Sequence, residues 1–216
     1  MAEKREIQSS VKDEHLIEKR REQMIAGAVM LFKEKGFHRT TTREIAKAAG
    51  FSIGTLYEYI RTKEDVLFLV CDAIYDEVHA RLDSILHGDR SAQTLKTAVS
   101  HYYRLIDDMQ DEFVVMYQES KSLPKDALQY VLNKEQEMVA IFGRLIEESV
   151  ENGELALTPE EVRLAAHHLV VQGQMWAFRR WALHDDYTIE QFIGIQTGLL
   201  FNGFTGAKQY VKGESR

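Results

Sequence analysis

The sequence predicts an all-α fold of about nine helices, a small N-terminal three-helix domain followed by a larger helical bundle. Only Pro124 and Pro159 interrupt 216 residues dominated by helix formers. Apolar residues recur at three- and four-residue intervals, with no alternating strand pattern, internal repeat or low-complexity segment. Start and stop residues fall at the ends of these periodic stretches. A chain of this length holds a small domain plus a second one with a core of its own.

In chain order, Met1 to His15 mixes charges with few apolar residues and is expected to be a flexible, solvated arm. Within it, Lys4, Arg5 and Lys12 are candidates to reach a DNA minor groove. Ile17, Arg21, Met24, Ile25, Ala28, Val29 and Phe32 then share helical spacing up to Gly36. Thr41 and Thr42 are candidate caps for a helix from about Arg43 to Ala49, whose inward side carries Ile45, Ala46 and Ala49. Gly50 suits the C-cap because it tolerates positive φ. Ser52 caps a second helix, Ile53 to about Ile60. Helices this short are unstable alone and must pack on the first. The layout is that of a helix-turn-helix, whose second helix presents its start to base edges in the major groove.

Thr62 and Asp65 form a capping box that opens a long helix over 62–87. Further helices are expected near 91–107, 111–120, 125–152, 159–183 and 189–207. Their starts are marked by Ser91, by Thr158 with Pro159 and Glu161, and by Thr188 with Gln191, while Gly153 marks an end.

The charge is uneven. Residues 19–65 hold ten Lys or Arg against six Asp or Glu, net +4, so with the whole chain at -7 the remainder carries -11. Local positive charge sets affinity for a phosphate backbone, so the acidic total does not exclude nucleic acid. A single cysteine, Cys71, excludes an internal disulfide, and its register with Leu67, Ile74 and Val78 places it in the core. With no signal peptide or long apolar span, a soluble cytoplasmic protein with no membrane partner is expected. His79, Asp83 and His87 share a stripe at i, i+4, i+8, which is expected to be a solvated helix face rather than a metal site. No nucleophilic triad, phosphate loop or metalloprotease motif is present, so neither enzymatic activity nor a cofactor is expected.

The run GAVMLFKEKGFHRTTTREIAKAAGFSIGTLYEYIRTKEDVL resembles the DNA-binding domain of the TetR (TetR/AcrR) family of bacterial transcriptional regulators. G-F-x-x-T-T, E-I-A, A-G-x-S-x-G-T-L-Y-x-Y and K-E-D all fall in register across the first third of the chain. The resemblance implies a DNA-binding domain over 16–61 and a ligand-binding and dimerisation domain over 62–210, after the arm over 1–15. It also implies that Thr42, Arg43, Ser52, Gly54, Thr55, Tyr57, Tyr59 and Lys63 contact DNA. Thr42, Tyr57 and Lys63 resemble phosphate clamps. Arg43 and Thr55 are the candidates for base contact, to guanine and to a thymine methyl. On a helical wheel Leu56, Ile60 and Ile53 point inward with Tyr57 at their edge, and Gly54, Thr55, Glu58 and Tyr59 point outward. Ile53 and Glu58 depart from the family pattern, where position 53 is commonly polar or basic and an outward carboxylate repels phosphates.

The helix from Pro159 is apolar on nearly every side, with Leu164, Ala165, His168, Val171 and Met175 on one face and Ala166, Val170, Ala177, Phe178 and Trp181 on another. The last helix repeats Phe192, Ile195, Leu199, Leu200 and Gly203 and carries Gly194, Gly198 and Gly206, which suit close helix approach. Together they look like the four-helix homodimer interface of the family. A two-fold dimer reads a palindromic operator in double-stranded DNA, and an effector that favours spread DNA-binding domains releases it. Candidate effector-binding residues are Tyr103, Phe113, Met116, Tyr117, Phe142, His168, Gln172, Met175, Trp176 and Arg179, an aromatic and methionine-rich set suited to an apolar ligand. QESKSLP and WAFRRWALHDDYTIEQFIGIQ resemble members controlling fatty-acid or sterol degradation, whose effectors are acyl-CoA thioesters. The competing expectation is a helical-bundle ligand carrier or enzyme with an incidental helix-turn-helix.

Overall fold

Capped helix ends define this chain. The computed structural model describes residues 7, 9–86 and 91–206, apart from the side chains of 83–86 and 204–206, and every regular element among them is helical. Helix α1 (Glu14–Lys35) starts where Asp13 accepts from the Leu16 amide at 3.1 Å and stops at Gly36, φ 80°. Helix α2 (Thr42–Ala48) is opened by Thr41: its hydroxyl accepts from the Glu44 amide at 3.3 Å, and its own amide donates to the Glu44 carboxylate at 2.9 Å. Gly50, φ 78°, ends α2, its N–H bonding Lys47 O while the Phe51 N–H bonds Ala46 O. Ser52 caps α3 (Ile53–Leu56) by accepting from the Thr55 amide at 3.0 Å.

The Thr62–Asp65 capping box forms as expected, with bonds of 2.9 and 3.2 Å, and opens α4 (Lys63–Leu86). Then follow α5 (Ala92–Asp108), α6 (Gln110–Glu119), a 3-10 turn (Ser120–Ser122), α7 (Lys125–Glu151), α8 (Pro159–Phe178), α9 (Arg180–Leu183) and α10 (Ile189–Gly206). Thr158 with Glu161 and Thr188 with Gln191 make the reciprocal bonds their spacing predicts.

Two elements differ from expectation. The second helix of the helix-turn-helix spans Ile53–Leu56 rather than running to Ile60. After Leu56 the amides of Glu58 and Tyr59 bond the carbonyls of Thr55 and Leu56, the i to i−3 pattern of a tightened turn. The helix expected over 159–183 is broken at Arg179, φ −111° and ψ 20°, giving ten α-helices among the described residues where about nine are expected.

Among the described residues, those of 1–76 and 109–135 pack as one unit and those of 77–108 and 136–216 as another, so α4 and α7 each contribute to both. In the first unit Met24, Ala28 and Phe32 of α1 are buried together with Phe37, Ile45, Leu56 and Ile60. A Cβ on Gly27 would lie 3.1 Å from the Ala48 Cβ, so glycine is what lets α1 sit against α2. Helix α6 packs on α1, with Lys33 paired to Asp111 at 2.7 Å and the Phe37 amide donating to Glu119 at 3.3 Å. Cys71 is fully buried, as its register predicts, and burial pushes its thiol up to about 12.

In the second unit α5 lies so close to α8 that a Cβ on Gly173 would fall 2.7 Å from the Tyr103 ring. The Tyr103 hydroxyl donates to Leu169 O at 3.1 Å, and the Trp176 indole N–H donates to Asp107 at 2.7 Å. Phe192 of α10 lies 5.0 Å from the Trp176 ring and 5.7 Å from that of Tyr103. One face of α8 is thus buried. Leu164, His168 and Val171 on its other face are exposed, as are Ile195 and Leu199 of α10. Among the described residues nothing lies within 4 Å of a Cβ built on Gly194, Gly198 or Gly203. No described helix is long and apolar enough to cross a membrane.

Candidate nucleic-acid interface

The turn between α2 and α3 is set by backbone requirements before any ligand is considered. Positive φ at Gly50 reverses the chain, and Ser52 restarts it two residues later. This leaves Arg43 and Lys47 of α2 exposed, with Ser52 and Gly54 exposed at the start of α3 and Thr55 half-buried beside them. The Ser52 and Thr55 hydroxyls are hydrogen-bonded at 3.0 Å, which holds both on the same turn. Thr42 at the start of α2 bonds the hydroxyl of Tyr57 at 3.0 Å, tying the first helix to the far end of the second. Tyr57 is 52% exposed and projects a fixed hydroxyl from this rim. Backbone, hydroxyl and guanidinium groups in this arrangement suit phosphate and base edges.

Two further candidates are placed differently. Tyr59 is only 3% exposed, not outward. The helical wheel failed because α3 ends at Leu56, and the tightened turn swings Tyr59 into the core. Lys63 donates to the carbonyls of Phe37 at 2.7 Å and Thr40 at 2.9 Å, with its ammonium 4.2 Å from the Phe37 ring centroid. Its charge holds the loop between α1 and α2.

A pair not singled out from the sequence stiffens the same region. Lys35 reaches Glu44 at 2.5 Å, and this bond, with those from Thr41, holds the Glu44 carboxyl down at about 2. The sequence marks Thr41 as a candidate cap but singles out neither Glu44 nor Lys35.

Comparison with known proteins decides what this geometry belongs to. The model of bacterial regulatory proteins of the tetR family matches residues 24–70, and that of the tetracyclin repressor-like C-terminal domain matches residues 88–179. The HTH-type transcriptional regulator HbdR of Aromatoleum sp. (strain CIB) is 31% identical over 208 residues, covering 94% of this chain and 88% of that one. The chain belongs to the TetR family. As a TetR-family transcriptional regulator it is not an enzyme, and membership carries operator-DNA binding and dimerisation with it. The HTH-type transcriptional repressor KstR2 of Rhodococcus jostii (strain RHA1) is 27% identical, covering 75% of this chain and 79% of that one. The structure of AibR in complex with isovaleryl coenzyme A and operator DNA shares the fold, with a TM-score of 0.73 at 19% identity over 84% of this chain and 98% of that one.

The candidate effector residues of this TetR regulator are dispersed. Phe113, Met116 and Tyr117 belong to the first unit, and Tyr117 is 71% exposed. Tyr103, Phe142 and Trp176 are buried in the second, with Gln172 and Met175 half-buried. His168 lies on the exposed face of α8 with Leu164 and Val171, because that helix buries its opposite side. Arg179 is exposed at the break before α9 and stacks over Trp181 at 4.9 Å. The Oε1 of Gln172 is buried and has no hydrogen-bond partner among the described residues. Lys4, Arg5, His87 and the Asp83 side chain lie outside the described residues, and no cluster of three metal-ligating side chains is found among those described.

Proposed function

We propose that this TetR regulator is a repressor that binds a palindromic operator as a homodimer and leaves it when an acyl-CoA thioester binds. The observation that supports the DNA half is the set of exposed Arg43, Ser52, Gly54 and Tyr57 and half-buried Thr42 and Thr55, with Thr42 and Tyr57 joined by a hydrogen bond. Thr42 and Tyr57 clamp phosphate, Arg43 and Thr55 read base edges, and Gly54 allows close backbone approach. Lys63 and Tyr59 support the reading head from behind. The dimer forms through the outer faces of α8 and α10, where exposed Leu164, Val171, Ile195 and Leu199 accompany glycines open to close approach.

The effector enters the second unit. The buried Gln172 Oε1 has no partner among the described residues, so a ligand that donates a hydrogen bond would satisfy it. Buried Tyr103, Phe142 and Trp176 and half-buried Met175 are apolar side chains of the same unit, and a bound chain would displace part of this aromatic packing. That displacement is transmitted along α4, which continues from this unit into the DNA-binding one. The acyl-CoA class is supported by the isovaleryl coenzyme A complex named for AibR. Titrating isovaleryl-, octanoyl- and benzoyl-CoA, with free CoA and the free acids as controls, into a fluorescent promoter–protein complex tests the effector. Release by a thioester but not by its parts is expected. Failure of every thioester to shift the complex would remove the effector assignment while leaving the DNA assignment standing.

A further inference from the structure

The recognition helix α3 has four residues, too few to hold its own orientation, and its far end runs into the turn at Tyr57–Tyr59. Three donors from the N-terminal arm converge on one carbonyl of that turn. The Ser10 amide reaches Glu58 O at 2.9 Å, the Ser9 hydroxyl at 3.0 Å and the Ser10 hydroxyl at 3.3 Å. The Ser9 hydroxyl also accepts from the Val11 amide at 3.1 Å, which fixes the local bend of the arm. Upstream, the Ile7 side chain is buried and Arg21 of α1 donates to the Ile7 carbonyl at 2.8 Å. Downstream, Asp13 caps α1. Residues 7, 9 and 10 therefore lie against the folded unit, which differs from a wholly solvated arm. Beside them is a groove of about 610 Å³ lined by Ile7, Ile17, Arg21, Phe68, Leu69 and Asp72 among others.

We propose that this arm is a positioning strap for the recognition helix, with Ile7 and Arg21 as its anchor and Ser9 and Ser10 as its hold on Glu58. It rests on the assignment of α3 to the major groove. The strap sets the angle of α3 from behind and touches no DNA through Ile7, Ser9 or Ser10. Glu58 is thereby given a use its side chain does not suggest, since its backbone carbonyl is the docking point. Losing the strap loosens α3, so sequence-specific binding falls more than non-specific binding, and the number of neutralised phosphates does not change.

The test uses full-length protein and a duplex that the wild type has selected from a random pool, with a scrambled duplex as control. Dissociation constants are measured between 50 and 300 mM salt (over which the Debye length shortens about 2.5-fold) for Ser9→Ala/Ser10→Ala, Ile7→Asp, Ser9→Thr/Ser10→Thr and Lys4→Gln/Arg5→Gln. Ser9→Ala/Ser10→Ala and Ile7→Asp are expected to weaken binding to the selected duplex about five- to tenfold, with little change on the scrambled one and an unchanged salt slope. Ser9→Thr/Ser10→Thr keeps both hydroxyls and is expected to restore most of the affinity. Wild-type affinity in the alanine pair would overturn the strap. So would equal losses on both duplexes with a shallower salt slope, because the arm would then be a phosphate contact. Amide exchange at residues 57–61 guards against a folding artefact: selective deprotection there supports the strap, and uniform deprotection across α1 and α4 overturns it. If no duplex is selected by the wild type, the DNA assignment itself fails, an outcome separate from failure of the strap.

Discussion

Helices α2 and α3 are held mainly by their ends, whereas α8 and α10, though also capped, are held mainly by their sides. The first pair has capping side chains at Thr41 and Ser52, a positive-φ glycine between them, and little buried area of its own. Helix α8 buries Ala165, Ala166, Leu169, Val170, Gly173, Trp176 and Ala177 along its length while its other face stays open. Chemistry at defined positions fixes a short element, and packing over many positions fixes a long one. Under the proposed function the same contrast separates the two ligands: DNA would be met by a small set of fixed polar groups, and the effector by an aromatic interior.

Glycine substitutions break the comparison most sharply. Gly173→Val is expected to cost about 1–3 kcal/mol in urea unfolding, because the added carbons collide with Tyr103 and Ile106. Gly54→Ala meets only Ser52 Oγ, 3.6 Å away, so stability should hold or rise by up to about 1 kcal/mol while operator affinity falls. Loss of stability without loss of binding at Gly54 would reverse the roles given to the two regions. Thr41→Ala comes next, at about 1 kcal/mol, since it removes a capping box from a seven-residue helix; differential scanning calorimetry reads it directly.

Smaller effects sharpen the picture. Tyr57→Phe removes the bond to Thr42 at an exposed site, so unfolding should change by less than about 0.5 kcal/mol, with operator affinity down a few-fold. Acid titration should show a contribution from Glu44. Its folded carboxyl is held at about 2 by Lys35 and Thr41, below the ordinary 4.5, so the stabilisation is present above pH 4.5 and lost as pH falls towards 2. Lys35→Gln should flatten the dependence in that window, as followed by circular dichroism. Cys71 should resist a thiol reagent at pH 8 in the native protein and react fully in denaturant, because burial keeps the thiol protonated up to about 12.

Local signals in the sequence were legible in detail. Thr41, Gly50, Ser52, Thr62 with Asp65, Thr158 with Glu161, and Thr188 with Gln191 all act where their spacing places them. The length of α3 was not, because Ile53 to Ile60 keeps helical periodicity while the backbone tightens after Leu56, and Tyr59 was misplaced with it. Neither was the break at Arg179, where apolar residues continue on both sides. The Ser9, Ser10 and Glu58 contact spans nearly fifty residues and involves a backbone carbonyl, which leaves no trace in side-chain pattern. His168 is a candidate effector residue on one face of α8, yet a helix apolar on both faces leaves one of them exposed within a single chain, and His168 lies on that one.

The central claim is that Thr42, Arg43, Ser52, Gly54, Thr55 and Tyr57, one set from each of two protomers, meet a two-fold-related pair of half-sites. Selecting duplexes from a random pool with wild-type protein and with Arg43→Ala tests it most directly. An inverted repeat should emerge for the wild type, and Arg43→Ala should relax one base pair symmetrically in both half-sites. Selected duplexes without two-fold symmetry, or an identical consensus from both proteins, would contradict the account.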